Sequence, residues 1–280
     1  MVSMNTRAVQ RDVEIISTKR VGAYQHIVLS STEIASVARP GNFIAVSVGG
    51  PTSSMVLRRA FAIYRTSNNQ YIELVVAPHG NGSKWLCSLE AHSMINIVGP
   101  LGTSFGIPTE PVRAVLVGGG YGSAPLFGLA EVLKSRGCRV DMILGASSSS
   151  KIYAPLEGKR SVSSMTITTD DGSAGEMGRV SDVLPRVIVE NASEIIYSCG
   201  PMAMLEAIQN VANQLDVHHQ ASVEESMACG IGVCMTCVVP LRGEDGIVRM
   251  SRTCIDGPVM DGESVIWDSH RKIPEGTFGA

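Results

Sequence analysis

Residues 116–126 read LVGGGYGSAPL. The apolar run 114–117 enters a glycine-rich turn, a helical pattern follows over 125–136 until Gly137 stops it, and a second strand pattern follows at 140–144. Strand, turn, helix and strand in that order open a parallel α/β unit. Glycine at such a turn lets a phosphate reach the backbone, which makes the stretch a dinucleotide candidate. Gly118 and Gly120 fit the G-x-G-x-x-G pattern, but Ser123 takes its third position. No Asp or Glu ends the second strand, where VDMILGASSSSK runs into a serine loop (147–150) and Lys151. A βα turn without a ligand therefore stays open on this stretch alone. Strand patterns at 165–168 and 194–198 and a helical one at 202–214 continue the α/β part.

Upstream, from 11 to about 108, the runs VEII, HIVLS, FIAVSV, AFAIY, YIELVV and MINIV are separated by Gly, Pro and Asn. This is the pattern of an antiparallel barrel or sandwich, with one helix interrupting at 83–89. LRRAFAIY sets Arg58 and Arg59 at a strand start, and HGNGSKWL sets Gly80, Gly82 and Ser83 where that helix begins. A guanidinium and a helix N-terminus both suit a pyrophosphate. Singly, an arginine at a strand end is more often a solvated surface charge and a Gly-x-Gly before a helix often only a turn; together, ahead of an α/β domain, they point to a nucleotide.

Downstream, residues 229–237 read CGIGVCMTC, and Cys254 follows. The C-x4-C-x2-C spacing with a distant fourth cysteine is the plant-type arrangement for a [2Fe-2S] cluster, with Cys229, Cys234, Cys237 and Cys254 as ligands. Gly230 and Gly232 let the loop wrap closely. Structural zinc, the alternative, usually takes paired C-x2-C knuckles. The chain has 280 residues with a formal charge of -3, which gives no electrostatic footprint for nucleic acid. No apolar run reaches membrane-spanning length and the first residues lack a signal-peptide core, so a cytoplasmic location is expected. Thiols there stay reduced, which favours metal over disulfides. Cys87 and Cys138 read as buried apolar thiols. Of the six histidines none has metal-ligand spacing, and the adjacent His218 and His219 read as surface or core residues. The end of the chain, DSHRKIPEGTFGA, is poor in apolar residues and reads as a disordered tail.

RRAFA, GNGSKWL, GPLGTSF, VGGGYGSAPL, TDDGSAGEMG, YSCGPMAML and the cysteine tail followed by CIDGPVM occur in an order that resembles the ferredoxin reductase superfamily. The ESMACGIGVCMTCVV tail after the nucleotide domain resembles, more closely, the electron-transfer subunits of NAD-dependent dihydroorotate dehydrogenases. The resemblance spans residues 11–267 and implies a multi-domain β plus α/β chain. Its parts would be an FAD-carrying β-barrel (1–108), an NAD-binding α/β domain (109–217) and a C-terminal [2Fe-2S] domain with tail (218–280). By the same resemblance Arg59 holds the FAD phosphates, while Ala60, Phe61 and Ala62 lie along the flavin, Ala62 standing where the family has a hydroxyl. Val75, Val76 and Ala77 run beside the flavin nucleotide, and Gly82 with Ser83 meets the pyrophosphate. Gly118, Gly119, Gly120 and Gly122 form the nicotinamide-nucleotide loop, and Cys199, Gly200, Pro201 and Met202 approach the nicotinamide. Cys199 is the one catalytic candidate, a buried strand-end thiol being its other reading. The implied partner is an FMN-containing catalytic subunit in a two-plus-two heterotetramer. Ferredoxin:NADP reductases, sulfide dehydrogenases and hydrogenase diaphorases use similar modules, and the serine run with Lys151 leaves NADP open beside NAD. A nonenzymatic redox-sensing module is the reading from another class.

Overall fold

The computed structural model describes residues 8–50 and 52–267. The tail 268–280 lies outside them. Strands β1 (Val9–Val21), β2 (Tyr24–Ser30), β3 (Phe43–Val46), β4 (Arg59–Ser67), β5 (Tyr71–Val76) and β6 (Met94–Leu101) close into an antiparallel barrel in the order β1-β2-β5-β4-β3-β6. Alternate residues point inward, as the period of a strand requires. Ile15, Ile27, Leu29, Ile44, Ile72, Leu74 and Ile97 fill the interior. Helices α1 (Thr32–Ala35) and α2 (Asn81–Ser88) sit in the barrel's connections.

The second layer contains β7 (Arg113–Gly119), α3 (Ala124–Ser135), β8 (Arg139–Ala146), α4 (Pro155–Ser161), β9 (Ser164–Thr169), β10 (Glu176–Met177), α5 (Val180–Asn191), β11 (Ile195–Cys199), α6 (Met202–Leu215) and β12 (His218–Ser222). A hairpin of β13 (Val238–Arg242) and β14 (Val248–Arg252) follows, then β15 (Val259–Asp261). The large sheet runs β10-β9-β8-β7-β11-β12-β15, parallel until β15 returns antiparallel to β12. Ala114, Val115, Leu116 and Val117 are all buried because helices cover both faces of the sheet.

The expected barrel, parallel sheet and cysteine-bearing end are present. The sheet, however, continues past residue 218, where the sequence reading begins its last domain. HHQAS is polar, and its strand is held by the neighbours it finds: buried His219 bonds Ser198 Oγ at 2.6 Å and Gln209 Oε1 at 2.8 Å. Helix α5 also escaped the sequence reading because Pro185 lies inside it. Its buried residues Val180, Val183, Leu184, Val187 and Ile188 nevertheless keep helical spacing against the sheet.

Barrel and α/β layer meet where α3 lies on β4. A Cβ on Gly128 would stand 2.7 Å from the Tyr64 carbonyl oxygen, so only glycine permits this approach. Beside it, Arg65 bonds Glu73 at 3.1 Å, Glu131 at 3.2 Å and Glu157 at 2.7 Å, and the Tyr64 hydroxyl donates to Glu157 at 2.6 Å. Burial works to raise the Glu73 carboxyl, but bonds from His26 and Arg65 outweigh it and hold it below its ordinary value. Arg65→Ala strips that buried carboxylate of its permanent cation, and an equilibrium denaturation curve is expected to show a loss of about 3 kcal/mol. Burial, then the nearby His218, depresses His219 to about 3. The unfolded imidazole titrates near about 6.5, so stability is full above that pH and falls as pH drops toward 3. Urea midpoints measured across this range should decline more steeply for the native chain than for His219→Gln.

Candidate functional site

Two cavities open along the seam between barrel and sheet. The barrel-side one, roughly 390 Å³, is lined by Arg59, Ala60, Phe61, Ala62, Val75, Ala77, Gly82 and Ser83, with Gly122, Cys199 and Gly200 from across the seam. In β4 the exposed positions toward this space are Ala60 and Ala62, small side chains that leave room for a flat group. The two arginines separate. Arg58 turns away from the cavity toward β6, bonding Asn96 Oδ1 at 2.5 Å and its carbonyl oxygen at 3.1 Å. Arg59 lines the cavity and, among the described residues, bonds only backbone carbonyls, Leu57 O at 2.7 Å and Arg58 O at 3.3 Å. A Cβ on Gly82 would lie 3.1 Å from Arg59 Nε, so the glycine brings the start of α2 against this guanidinium. A cation and a helix N-terminus converging in a cradle that a Cβ would fill fit a pyrophosphate. Val76, expected beside Val75, instead turns into the barrel core, as strand alternation dictates.

The sheet-side cavity, roughly 640 Å³, lies at the C-terminal ends of the parallel strands. Gly119, Gly120 and Pro201 line it. Gly118 and Met202 line neither cavity: Gly118 makes way for Ser123, whose Cβ a side chain there would meet at 2.5 Å, and Met202 packs against the core around Leu205 and Trp267. Gly122 and Gly200 touch, since a Cβ on Gly122 would lie 2.7 Å from the Gly200 Cα. Burial pushes the Cys199 thiol up to about 12, so it is a neutral group suited to packing and hydrogen bonding, not attack.

Ala77, His79, Tyr121 and Glu224 line both cavities and form the wall between them. The rings of His79 and Tyr121 lie 5.5 Å apart, and the Tyr121 hydroxyl bonds the Glu224 carboxylate. Of the wall, sequence reasoning named Ala77 and missed His79, Tyr121 and Glu224, along with Thr168, Asp170 and Arg179 of the larger cavity. TDDGSAGEMG directly follows Thr168, contains Asp170 and directly precedes Arg179, and its run of small and acidic residues was the available signal.

The cysteines gather on the other side of the barrel cavity. Cys229 Sγ and Cys234 Sγ stand 3.2 Å apart, and the Cys234 N–H donates to Cys229 Sγ at 3.4 Å. Cys254 and Cys237 lie beside each other, and both are buried with Phe43, Ala45 and Leu101. Gly230 and Gly232 take φ of +70° and +78°, where only glycine is unstrained. Among the described residues no group of three or more His, Cys, Asp or Glu side chains is placed to hold one metal ion. The four thiols form two pairs, a donor set that fits two irons. Phe43 and Met227 both line the barrel cavity and pack against this thiol cluster.

Residues 224–266 match the family model for the iron-sulfur cluster binding domain of dihydroorotate dehydrogenase B, and 116–210 match the oxidoreductase NAD-binding domain. The chain is 32% identical over 237 residues to the "dihydroorotate dehydrogenase B (NAD(+)), electron transfer subunit" of Desulforamulus reducens, covering 84% of this chain and 90% of that one. It is 34% identical over 228 residues to the protein of that name from Caldanaerobacter subterraneus, covering 81% and 87%. Among solved structures, a chain of the NADH-dependent reduced ferredoxin-NADP oxidoreductase superposes with a TM-score of 0.82 at 28% identity, covering 93% of this chain and 91% of that one. The cytochrome b5 reductase domain of Ulva prolifera nitrate reductase shares the fold at a TM-score of 0.62 and 15% identity, over 79% of this chain and 96% of that one. If Arg59 meets a pyrophosphate, Arg59→Ala should weaken FAD retention by about tenfold to a hundredfold, as read by fluorescence titration of deflavinated protein.

Proposed function

The chain belongs to the family of electron transfer subunits of dihydroorotate dehydrogenase B, and from that premise we propose that it relays electrons from the FMN of a catalytic subunit oxidising dihydroorotate to NAD, by way of a [2Fe-2S] cluster and FAD. The observation that carries this reading is the order of the three sites. The barrel cavity shares Ala77, His79, Tyr121 and Glu224 with the nucleotide cavity on one side, and Phe43 and Met227 with the thiol cluster on the other. When bound, FAD supplies conversion between two-electron hydride chemistry and the one-electron chemistry of the cluster.

The protein's own part is positional. Arg59, Gly82 and Ser83 would hold the FAD pyrophosphate, while Ala60, Phe61, Ala62 and Val75 would flank the ring. Gly119, Gly120 and Gly122 would admit the NAD pyrophosphate at the start of α3, with Cys199, Gly200 and Pro201 beside the nicotinamide. The buried Phe43 and the wall residues Tyr121 and Glu224 would keep water from the space between cofactors. Cys229, Cys234, Cys237 and Cys254 would hold the cluster.

The cluster loop presents Ile231, Val233 and Met235 to solvent at 52%, 79% and 59% exposure. Three apolar side chains interleaved with cluster ligands suit docking onto a catalytic subunit. We assign the assembly two copies of each subunit and a cytoplasmic location; no helix among the described residues is long and apolar enough to cross a membrane. The likeness to the ferredoxin-NADP oxidoreductase chain favours a second reading, the same relay serving a ferredoxin-dependent complex.

Anaerobic mixing with an FMN-containing dihydroorotate dehydrogenase subunit decides between them. Dihydroorotate should reduce NAD only in the mixture, with FAD and two irons on this chain. Cofactors present but no NADH from dihydroorotate would leave the relay standing and remove this partner. Val233→Asp should cut the coupled rate at least about tenfold while NADH still bleaches the bound flavin at the native rate.

A further inference from the structure

The nucleotide cavity has a second corner, away from the glycine turn, where the ends of β8 and β9 meet the start of α5. Thr168 is 1% exposed and lines the cavity, yet its hydroxyl has no hydrogen-bond partner among the described residues. A buried hydroxyl in that condition costs about 1–3 kcal/mol unless something completes it. Gly145 lets the start of α5 pack against the end of β8 beside it: a Cβ there would lie 3.2 Å from Thr168 Oγ1 and 2.3 Å from Val180 Cγ1, at the first residue of α5. The corner thus joins an unsatisfied hydroxyl to the positive end of a helix dipole.

Two cations add to it. Lys151 Nζ donates to Ser147 Oγ at 3.0 Å, and both residues line the cavity with Arg179 and Ser181. Among the described residues neither Lys151 nor Arg179 forms an ion pair. Against them stand two carboxylates: Asp170, whose N–H bonds Ala146 O at 3.1 Å and so sits beside the end of β8, and Asp182, whose Oδ2 accepts from the Arg179 N–H at 2.8 Å. Sites of this α/β type that select NAD place an acid at the end of the second strand to bond the adenosine ribose hydroxyl, whereas those taking NADP place a cation there. Here β8 ends in Ala146 and runs on into Ser147.

We propose that this corner is a subsite for the 2′-phosphate of a dinucleotide, so that the chain takes NADP(H) alongside NAD(H). The proposal deepens the nucleotide reading given above and rests on it. The glycine turn receives the pyrophosphate, and Lys151, Arg179, Ser147 and the Thr168 hydroxyl receive the third phosphate. Asp170 serves the free hydroxyl when NAD is bound, which explains how one corner accepts both.

The test uses the cofactor-loaded protein. Stopped-flow bleaching of the flavin should give kcat/KM for NADPH within about tenfold of that for NADH. Calorimetry should show 2′,5′-ADP binding at least as tightly as 5′-ADP. In a Lys151→Gln/Arg179→Gln double variant, 2′,5′-ADP should weaken about a hundredfold, two charge-assisted contacts being lost. Binding of 5′-ADP should change less than about threefold, which also reports that the variant is folded. Flavin reduction by NADH with NADPH more than about tenfold poorer, or equal losses for both ADP probes, overturns the subsite and leaves the NAD reading intact. Reduction by neither nucleotide overturns the NAD reading and the subsite with it.

Discussion

Helix α3 rests directly on strand β4, and the rest of the molecule is arranged around that contact. It depends on an absent side chain at Gly128, with the β4 backbone 2.7 Å from where a Cβ would be. Tyr64 packs there against Phe127 and Tyr153, and Arg65 reaches carboxylates from both layers. Because barrel and sheet are pinned along this line, the strand ends of each open toward the same space. Both cavities are consequences of the pinning, each taking residues from the two layers.

What was legible in the sequence follows from how local its cause is. Apolar runs and glycine turns announced the barrel strands, β7, α3 and β8, since burial on one or both faces writes itself into the period. Strand β12 could not be read, because its buried histidine is satisfied by Ser198 and Gln209, partners distant in sequence. The same division holds at the site. Cysteine spacing and the Gly82 turn are local devices and were legible. The wall of His79, Tyr121 and Glu224 comes from three separate segments and exists only once the seam closes. Val76 shows the complementary error: a motif carried over whole included a residue that strand alternation points away from the cavity.

The three sites are neighbours for a reason of chain economy. Residues 222–227 run along the barrel cavity immediately before Cys229, so one short segment serves as cavity wall and as the approach to the thiols. Glu224 and Met227 are the two ends of that service, one facing the nucleotide side and the other the thiol cluster. Ordering this segment therefore orders two sites at once.

The cysteine-bearing segment leaves the sheet after Ser222 and rejoins it at Val259, and these two residues are paired across β12 and β15. Exit and re-entry are thus adjacent on a finished sheet edge. A segment rooted in that way can be removed, lengthened or replaced without altering the order of any other strand. Lineages built on this scaffold could exchange the part of the excursion between Met227 and Pro258 as a cassette, acquiring a different redox outlet while the cavity wall at 222–227 stays as it is.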